Sequence, residues 1–135
     1  MCGICGYTYI KDDLNHREVI TGMLEAILHR GPDDEGIYID QKVTLGTRRL
    51  NIIDLYTGNQ PVHNEDKDIW ITYNGEIYNY HELKKYLENK GHRFYTKTDT
   101  EVIIHLYEEF GKECVKKLNG MFAFAIYDSK KKILI

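Results

Sequence analysis

The chain has few cysteines, no long apolar run and no excess of positive charge. Its 3 cysteines, in a sequence without the basic start and apolar stretch of a signal peptide, predict free thiols in a reducing compartment. The longest apolar run, residues 121–127, is far shorter than the roughly 20 residues that cross a bilayer. A net charge of -3, with acids and bases interspersed, provides no basic patch for nucleic acid and no polybasic membrane anchor. We therefore expect a cytoplasmic protein that binds neither nucleic acid nor membrane.

The composition is that of one ordinary globular domain. Hydrophobic residues make up 42% and charged residues 29% of 135 residues, which excludes a disordered chain and fits a single core. Clusters of strand-like runs are separated by helical patterns, which predicts an α+β fold with mainly antiparallel sheets. A turn at residues 128–131 leads into an apolar return strand at the end of the chain. We expect from this that the chain is the N-terminal part of a longer protein.

Three helix starts and seven strands can be assigned from local patterns. Asn15 precedes apolar residues at helical spacing. Two further helix starts have capping-box spacing, Asn79 with Glu82 and Thr98 with Glu101. The predicted strands are residues 2–10, 36–40, 43–47, 50–54, 69–73, 92–96 and 121–127.

Cys2 is the first candidate for chemistry because removal of Met1 would make it the N-terminal residue. A free α-amino group, with a pKa of about 8, can accept the thiol proton directly or through a water. One residue would then supply nucleophile and base. The alternatives are a chance cysteine and a Cys2-x-x-Cys5 redox or metal motif. Cys114 is alone and no second pair completes a tetrahedral site, so the sequence predicts no metal site.

Charged residues at two places in the chain could bind a charged group of a ligand. Arg48 and Arg49 end a strand-like run, and one of them should face the core side, where a buried guanidinium could bind a carboxylate through two parallel bonds. The alternative is a pair of solvated surface arginines. Asp99 lies at a predicted helix start, where it either stabilises the helix dipole or binds an ammonium group.

Asn74-Gly75 follows a predicted strand and has two interpretations. The pair is a common hairpin turn. It could instead point the Asn74 amide and the Gly75 backbone N–H at a developing oxyanion, since glycine lets the backbone approach a substrate closely. The residues alone leave both interpretations open.

Several short motifs occur together in a fixed order. They are Cys2-Gly3-Ile4, residues 29–33, residues 49–54, Gln60-Pro61, residues 74–79, residues 98–101 and residues 118–124. Over essentially the whole chain this set resembles the class II glutaminase domain of glutamine-hydrolysing asparagine synthetases, which belong to the N-terminal-nucleophile hydrolases. The resemblance implies a four-layer αββα sandwich of two antiparallel sheets, truncated at its C-terminus, with residues 1–135 as the N-terminal part of the glutaminase domain.

The resemblance also implies roles for individual residues. Cys2 would attack the side-chain amide of glutamine and release ammonia and then glutamate through a thioester. Arg49 would hold the α-carboxylate of glutamine and Asp99 its α-ammonium group. Asn74 and Gly75 would form the oxyanion hole. The residues expected to line the pocket are Leu50, Asn51, Ile52, Ile53, Asn74, Gly75 and Glu76.

In this family the ammonia travels to an ATP-dependent synthetase domain that amidates aspartate, and the present chain has no counterpart of that domain. We therefore expect no cofactor for this chain, with ATP and Mg²⁺ confined to the synthetase domain. The expected partners are glutamine and that domain, and a homo-oligomer stays open. The alternatives are a non-catalytic binding or regulatory module of the same fold and, less favoured, a Cys-x-x-Cys redox protein.

Overall fold

The computed structural model describes residues 2–11, 13–50 and 59–135. Its strands are β1 (Gly3–Thr8), β2 (Asp34–Ile39), β3 (Val43–Arg49), β4 (Val62–His63), β5 (Ile69–Ile77), β6 (Gly120–Asp128) and β7 (Ile133–Leu134). The α-helices are α1 (His16–Ala26), α2 (Tyr80–Asn89) and α3 (Glu101–Phe110), and 3₁₀ helices span Leu28–Arg30 and Gly111–Lys117. The strand predicted at residues 50–54 lies, beyond Leu50, outside the described residues.

The strands form two antiparallel sheets that pack against each other. One sheet has the order β1-β3-β2 and the other β4-β5-β6-β7. Helix α1 contacts the strands of the first sheet, α3 contacts β4 and β5 of the second, and β1 and β3 contact β5 between the sheets. The result is the predicted αββα sandwich. None of the described helices combines the length and apolar composition needed to span a membrane.

The larger core lies between the four-stranded sheet and its helices. Its fully buried side chains come from both layers: Val62, Ile71 and Ile126 from the sheet, Leu87 from α2, and Val102, Ile103, Ile104 and Leu106 from α3. A smaller core lies between the sheets, where Val43, Leu45 and Tyr127 are buried against Tyr38 and Trp70. Both faces of the central strands are therefore covered, which fixes the position of β5 between the layers.

The strand predicted at residues 92–96 is wrong, because these residues are not in a sheet. The backbone N–H groups of Tyr95 and Thr96 donate to the carboxylate of Glu101 at 2.9 and 2.7 Å. That of Arg93 donates to Glu65 at 2.9 Å. Side-chain carboxylates thus accept the hydrogen bonds from backbone N–H groups that a neighbouring strand would otherwise accept.

One of the three predicted helix caps is present. Asn15 accepts a hydrogen bond from the Glu18 N–H at 3.3 Å and caps α1. Asn79 precedes α2, but its side chain binds the backbone of Lys117 and Asn119, each at 3.0 Å, and caps nothing. The N-cap residue of α3 is Thr100, two residues beyond the predicted cap, Thr98, and Glu101 accepts hydrogen bonds from the segment that precedes the helix.

Candidate functional site

Strand β5 runs through Asn74 and Gly75 to Ile77, so the hairpin-turn interpretation of this pair is wrong. Asn74 pairs with Ala123 of β6, and Gly75 pairs with Phe122. A Cβ atom on Gly75 would lie 2.2 Å from the carbonyl oxygen of Met121. Glycine is therefore required here by the close approach of two strands, whatever the residue does toward a substrate.

The alternation of side chains along β5 separates two faces. Trp70 and Thr72 face the three-stranded sheet: Trp70 packs on its core residues, and Thr72 shares a cavity with Ile4 and Cys5 of β1. Asn74 follows at the next even position, so its half-buried amide lies on the face toward the sheet that carries the N-terminus. This places a hydrogen-bond donor on the same side of β5 as Cys2.

Tyr73 of β5 contacts Asp99 directly. Its hydroxyl donates to Asp99 Oδ2 at 2.7 Å. Burial raises the pKa of Tyr73 well above its ordinary range, and the negative charge of Asp99, the hydrogen bond to it and the negative charge of Glu76 raise it further. The Tyr73 hydroxyl therefore stays protonated and acts as a donor to Asp99.

Asp99 precedes α3 instead of lying inside it, since Thr100 is the N-cap residue. The Ile77 N–H donates to Asp99 Oδ2 at 2.8 Å, next to the Tyr73 hydroxyl, so two donors hold one carboxylate oxygen. Among the described residues, Oδ1 has no hydrogen-bond partner. A cavity of about 190 Å³ opens beside it, lined by Glu76, Ile77, Tyr78, Tyr80 and Asp99. The Asp99 carboxylate thus lies at the wall of a cavity large enough for a small molecule.

Arg49 ends β3 and is only 5% exposed, so the interpretation of both arginines as solvated surface residues is wrong. Its guanidinium donates to Asn59 Oδ1 at 3.2 Å, and its carbonyl accepts from the Asp33 N–H at 3.1 Å. Arg48 points elsewhere, to Glu35 at 2.9 Å and to the Leu24 carbonyl at 3.2 Å. The structure therefore separates a buried arginine from one that joins α1 and β2.

A continuous series of contacts joins the two charged residues. Arg49 binds Asn59, the neighbouring Gln60 accepts from the Tyr73 N–H at 2.7 Å, and Tyr73 binds Asp99. The sequence reasoning assigned no role to Asn59 or Tyr73. The sequence did contain a signal for Tyr73: its hydroxyl lies within a mostly apolar strand, and a buried tyrosine hydroxyl needs a hydrogen-bond partner.

Among the other predicted pocket residues, Leu50 is half-buried after β3 and Glu76 is exposed on β5. Asn51, Ile52 and Ile53 lie outside the described residues, as does Met1.

Cys5, the second cysteine of the Cys-x-x-Cys motif, lies in surroundings that disfavour a thiolate. Cys2 and Cys5 are both free and half-buried. Burial raises the pKa of Cys5, and the nearby charge of Arg48 offsets this only in part. Since redox chemistry requires a thiolate, these surroundings disfavour Cys5 as a redox partner.

Comparison with known proteins gives one family. The model of the glutamine amidotransferase domain family matches residues 1–135. "Asparagine synthetase [glutamine-hydrolyzing] 1" of Bacillus subtilis (strain 168) is 45% identical over 99% of this chain and 22% of its own length. "Asparagine synthetase [glutamine-hydrolyzing] 2" of Oryza sativa subsp. japonica is 47% identical over 100% of this chain and 23% of its own length. The chain thus spans less than a quarter of these relatives.

Two solved structures share the fold. Glutamine phosphoribosylpyrophosphate amidotransferase from B. subtilis, complexed with ADP and GMP, has a TM-score of 0.53 and 27% identity, over 67% of this chain and 22% of that one. An allosteric regulatory enzyme of purine biosynthesis has a TM-score of 0.56 over 93% of this chain and 29% of that one. At 22% identity, the second similarity concerns the fold alone.

Proposed function

This chain belongs to the glutamine amidotransferase domain family, and we propose that it hydrolyses glutamine to glutamate and ammonia with Cys2 as the nucleophile. The observation that carries the proposal is the Asp99 carboxylate, held by Tyr73 and the Ile77 N–H at the wall of a small cavity, together with the buried guanidinium of Arg49. These two residues offer the opposite charges that the α-ammonium and α-carboxylate groups of an amino acid can pair with.

The chemistry begins with loss of Met1, which leaves Cys2 with a free α-amino group. The Cys2 sulfur attacks the side-chain amide carbon of glutamine, and the amine takes the thiol proton. When the tetrahedral intermediate collapses, the proton passes to the leaving nitrogen and ammonia departs. One water then hydrolyses the thioester, giving glutamate and the free thiol. During both tetrahedral steps, the Asn74 amide and the Gly75 N–H donate to the oxyanion.

Binding of the substrate uses one buried cation and one oriented anion. Arg49 pairs with the α-carboxylate through its planar fork, and Asp99 pairs with the α-ammonium group. The contacts from Arg49 through Asn59, Gln60 and Tyr73 to Asp99 fix these two groups relative to each other. The proposal also assigns Leu50 and Glu76 to the wall of the pocket; the same role follows from the family resemblance for Asn51, Ile52 and Ile53, which lie outside the described residues.

The ammonia supplies a synthetase domain of the parent protein. The similarity to glutamine-hydrolysing asparagine synthetases supports asparagine formation there, with ATP and Mg²⁺ used by that domain. Glutamine and the synthetase domain are accordingly the partners of this chain.

Substitution of Cys2 tests the proposal. Cys2→Ser should lower glutaminase turnover by several orders of magnitude, because a hydroxyl is a far weaker nucleophile than a thiol at neutral pH. The matched control is Cys5→Ser, which should keep most of the activity. Ammonia release is measured for both variants, and the intact mass of the active protein should be that of a chain starting at Cys2.

Three outcomes would count against this function. Equal damage from both substitutions would favour the redox alternative, and activity in a protein that keeps Met1 would exclude the amine as the base. Absence of glutamine hydrolysis in a folded protein lacking Met1 would favour the non-catalytic module.

A further inference from the structure

A second group of potential ligands lies on α3 and the segments packed against it. Glu65 follows β4, His92 follows α2, and His105 and Glu108 lie on α3. One nitrogen or oxygen atom from each of these four residues lies within 4.8 Å of the other three. His105 and Glu108 share one face of α3, since residues three apart on a helix are neighbours.

The inner atoms of the cluster have nearly the spacing of a tetrahedral site. His105 Nδ1 lies 2.7 Å from Glu108 Oε2 and 3.8 Å from Glu65 Oε2, and His92 Nδ1 lies 3.3 Å from Glu108 Oε2. Zinc bound at about 2.0–2.2 Å by imidazole and carboxylate requires ligand atoms roughly 3.3–3.6 Å apart. Adjustments of less than about 1 Å along these flexible side chains would satisfy that requirement.

In three of the four residues, the nitrogen or oxygen atom of the side chain that faces away from the cluster is held by a hydrogen bond. The Arg93 N–H donates to Glu65 Oε1 at 2.9 Å, and the Asn64 amide donates to Glu108 Oε1 at 2.8 Å. His92 Nε2 lies 3.1 Å from Glu109 Oε1. Each of these contacts leaves the second atom of the same side chain directed into the cluster.

His105 is the fourth residue and is completely buried. Its Nε2 atom has no hydrogen-bond partner in the described structure and lies 3.6 Å from Glu101 Oε1, a carboxylate that is also buried. A carboxylate behind a histidine favours the tautomer that leaves the opposite nitrogen free to bind a metal, which is the usual arrangement around metal-binding histidines. Glu109 is hydrogen-bonded to His92 in this way, and Glu101 lies 3.6 Å behind His105.

Negative charge predominates around the two imidazoles. Carboxylates come from Glu65, Glu101, Glu108 and Glu109, and the ammonium group of Lys90 lies 4.0 Å from Glu109. A divalent cation would balance more of this charge than a proton on either ring. From this geometry we propose that the cluster binds a divalent transition metal ion, with Zn²⁺ as the best match, through His92, His105, Glu65 and Glu108.

The ion has a structural role. It joins three segments that are separate along the chain: the residues after β4, the residues after α2, and α3 itself. Four protein ligands complete a tetrahedral shell and leave no position for a substrate, as in structural zinc sites. The bound ion holds α3, which follows directly after the segment carrying Asp99, against the four-stranded sheet.

Zinc titration of the chelator-treated protein tests the proposal. Cys2→Ser is used as the background, because an N-terminal cysteine with a free thiol and amine could bind zinc independently of the cluster. Isothermal titration should give one Zn²⁺ per chain. The melting temperature should rise by roughly 10 °C when free zinc is about 100-fold above the dissociation constant. Glutaminase activity has no part in either measurement.

Two substitutions of partly exposed ligands locate the ion. His92→Gln and Glu65→Gln should each weaken zinc binding at least about 10-fold. The matched controls on exposed positions of α2, His81→Gln and Glu88→Gln, should leave it unchanged. Circular dichroism establishes that each variant is folded.

A third measurement does not depend on any substitution in the cluster. Co²⁺ bound to the background protein should show the absorption of a tetrahedral site without thiolate charge-transfer bands. A thiolate spectrum, zinc binding equal in the ligand and control variants, or no binding at all would each overturn the proposal. The last result would identify the cluster as a network of ion pairs only.

Discussion

Asn74 lies in the middle of an antiparallel pair, opposite Ala123, where no turn requires its side chain. If its amide donates to the oxyanion, the bond forms mainly in the transition state. Asn74→Ala should then lower turnover about 10²–10³-fold with little change in the apparent affinity for glutamine. Asn74→Asp should be at least as harmful, because it places a negative charge beside a developing one.

Steady-state glutaminase kinetics and melting temperatures of the Asn74 variants provide the measurement. Alkylation of Cys2 by a simple electrophile should be unaffected, since the thiol is unchanged. A variant with normal turnover and reduced stability would remove Asn74 from the mechanism.

The opposite charges of Arg49 and Asp99 lead to a prediction about specificity. Arg49→Lys should raise KM for glutamine strongly, because an ammonium group cannot reproduce the planar two-bond fork. Loss of a buried charge partner costs about 2–5 kcal/mol. Asp99→Asn should be similarly harmful for glutamine and less so for a substrate without the α-amine. Arg17→Lys on the exposed face of α1 is the control. Unchanged kinetics in both site variants would place these residues outside the pocket.

At the scale of the elements, Gly75 and Gly22 differ in whether the structure has room for a side chain. Gly75 in β5 has no room for a methyl group, since a Cβ would meet the backbone of Met121 and Phe122 at 2.2 and 2.6 Å. Gly22 in α1 has nothing within 4 Å of the same position. Gly75→Ala should therefore destabilise the protein by at least about 1–3 kcal/mol, because the β5–β6 pairing must shift.

Gly22→Ala is the matched substitution and should stabilise the protein by about 0.4–1 kcal/mol, because alanine restricts the unfolded chain and favours the helix. Urea unfolding of both variants gives the two free energies. A neutral or stabilising effect of Gly75→Ala would show that the strand spacing at Gly75 adapts to a methyl group.

At the scale of the whole molecule, stability in acid depends on buried carboxylates such as Asp128 at the end of β6. Burial by itself would raise the pKa of Asp128. Its hydrogen bonds from the Lys131 N–H at 2.9 Å and the Tyr107 hydroxyl at 3.1 Å, with the Lys131 ammonium at 3.1 Å, lower it below the ordinary value of 3.8. A depressed pKa in the folded state contributes stability above the unfolded value, and this contribution is lost as the pH falls through the folded value.

Asp128→Asn should therefore reduce the free energy of unfolding at pH 7 and make it less dependent on pH below about 4. Urea unfolding between pH 3 and 7 measures both effects. Glu113→Asn, at an exposed position, is the control. Parallel pH profiles for the variant and the unsubstituted protein would show that Asp128 contributes no linkage.

Local patterns along the chain were sufficient to predict the helices and strands that depend on residues close together in the sequence. Asn15 and the helical spacing after it predicted α1, the alternating and apolar runs predicted β5 and β6, and the turn after Asp128 predicted the β6–β7 hairpin. In each case the hydrogen-bond partners lie within a few residues, or the apolar face is regular enough to read directly. The order of the motifs was sufficient to predict the family and, through it, the αββα fold.

Only the tertiary structure decided features whose partners are distant in sequence. Asn79 resembled a helix cap, but it binds a segment 38 and 40 residues away. Asn74-Gly75 has the sequence of a turn, yet pairing with β6 keeps it in a strand. The strand pattern predicted that Arg48 or Arg49 is buried but not which of the two, and the meeting of Glu65, His92 and His105 could not be predicted either. Local propensities are worth about 1 kcal/mol or less per residue, so packing and pairing between distant segments override them.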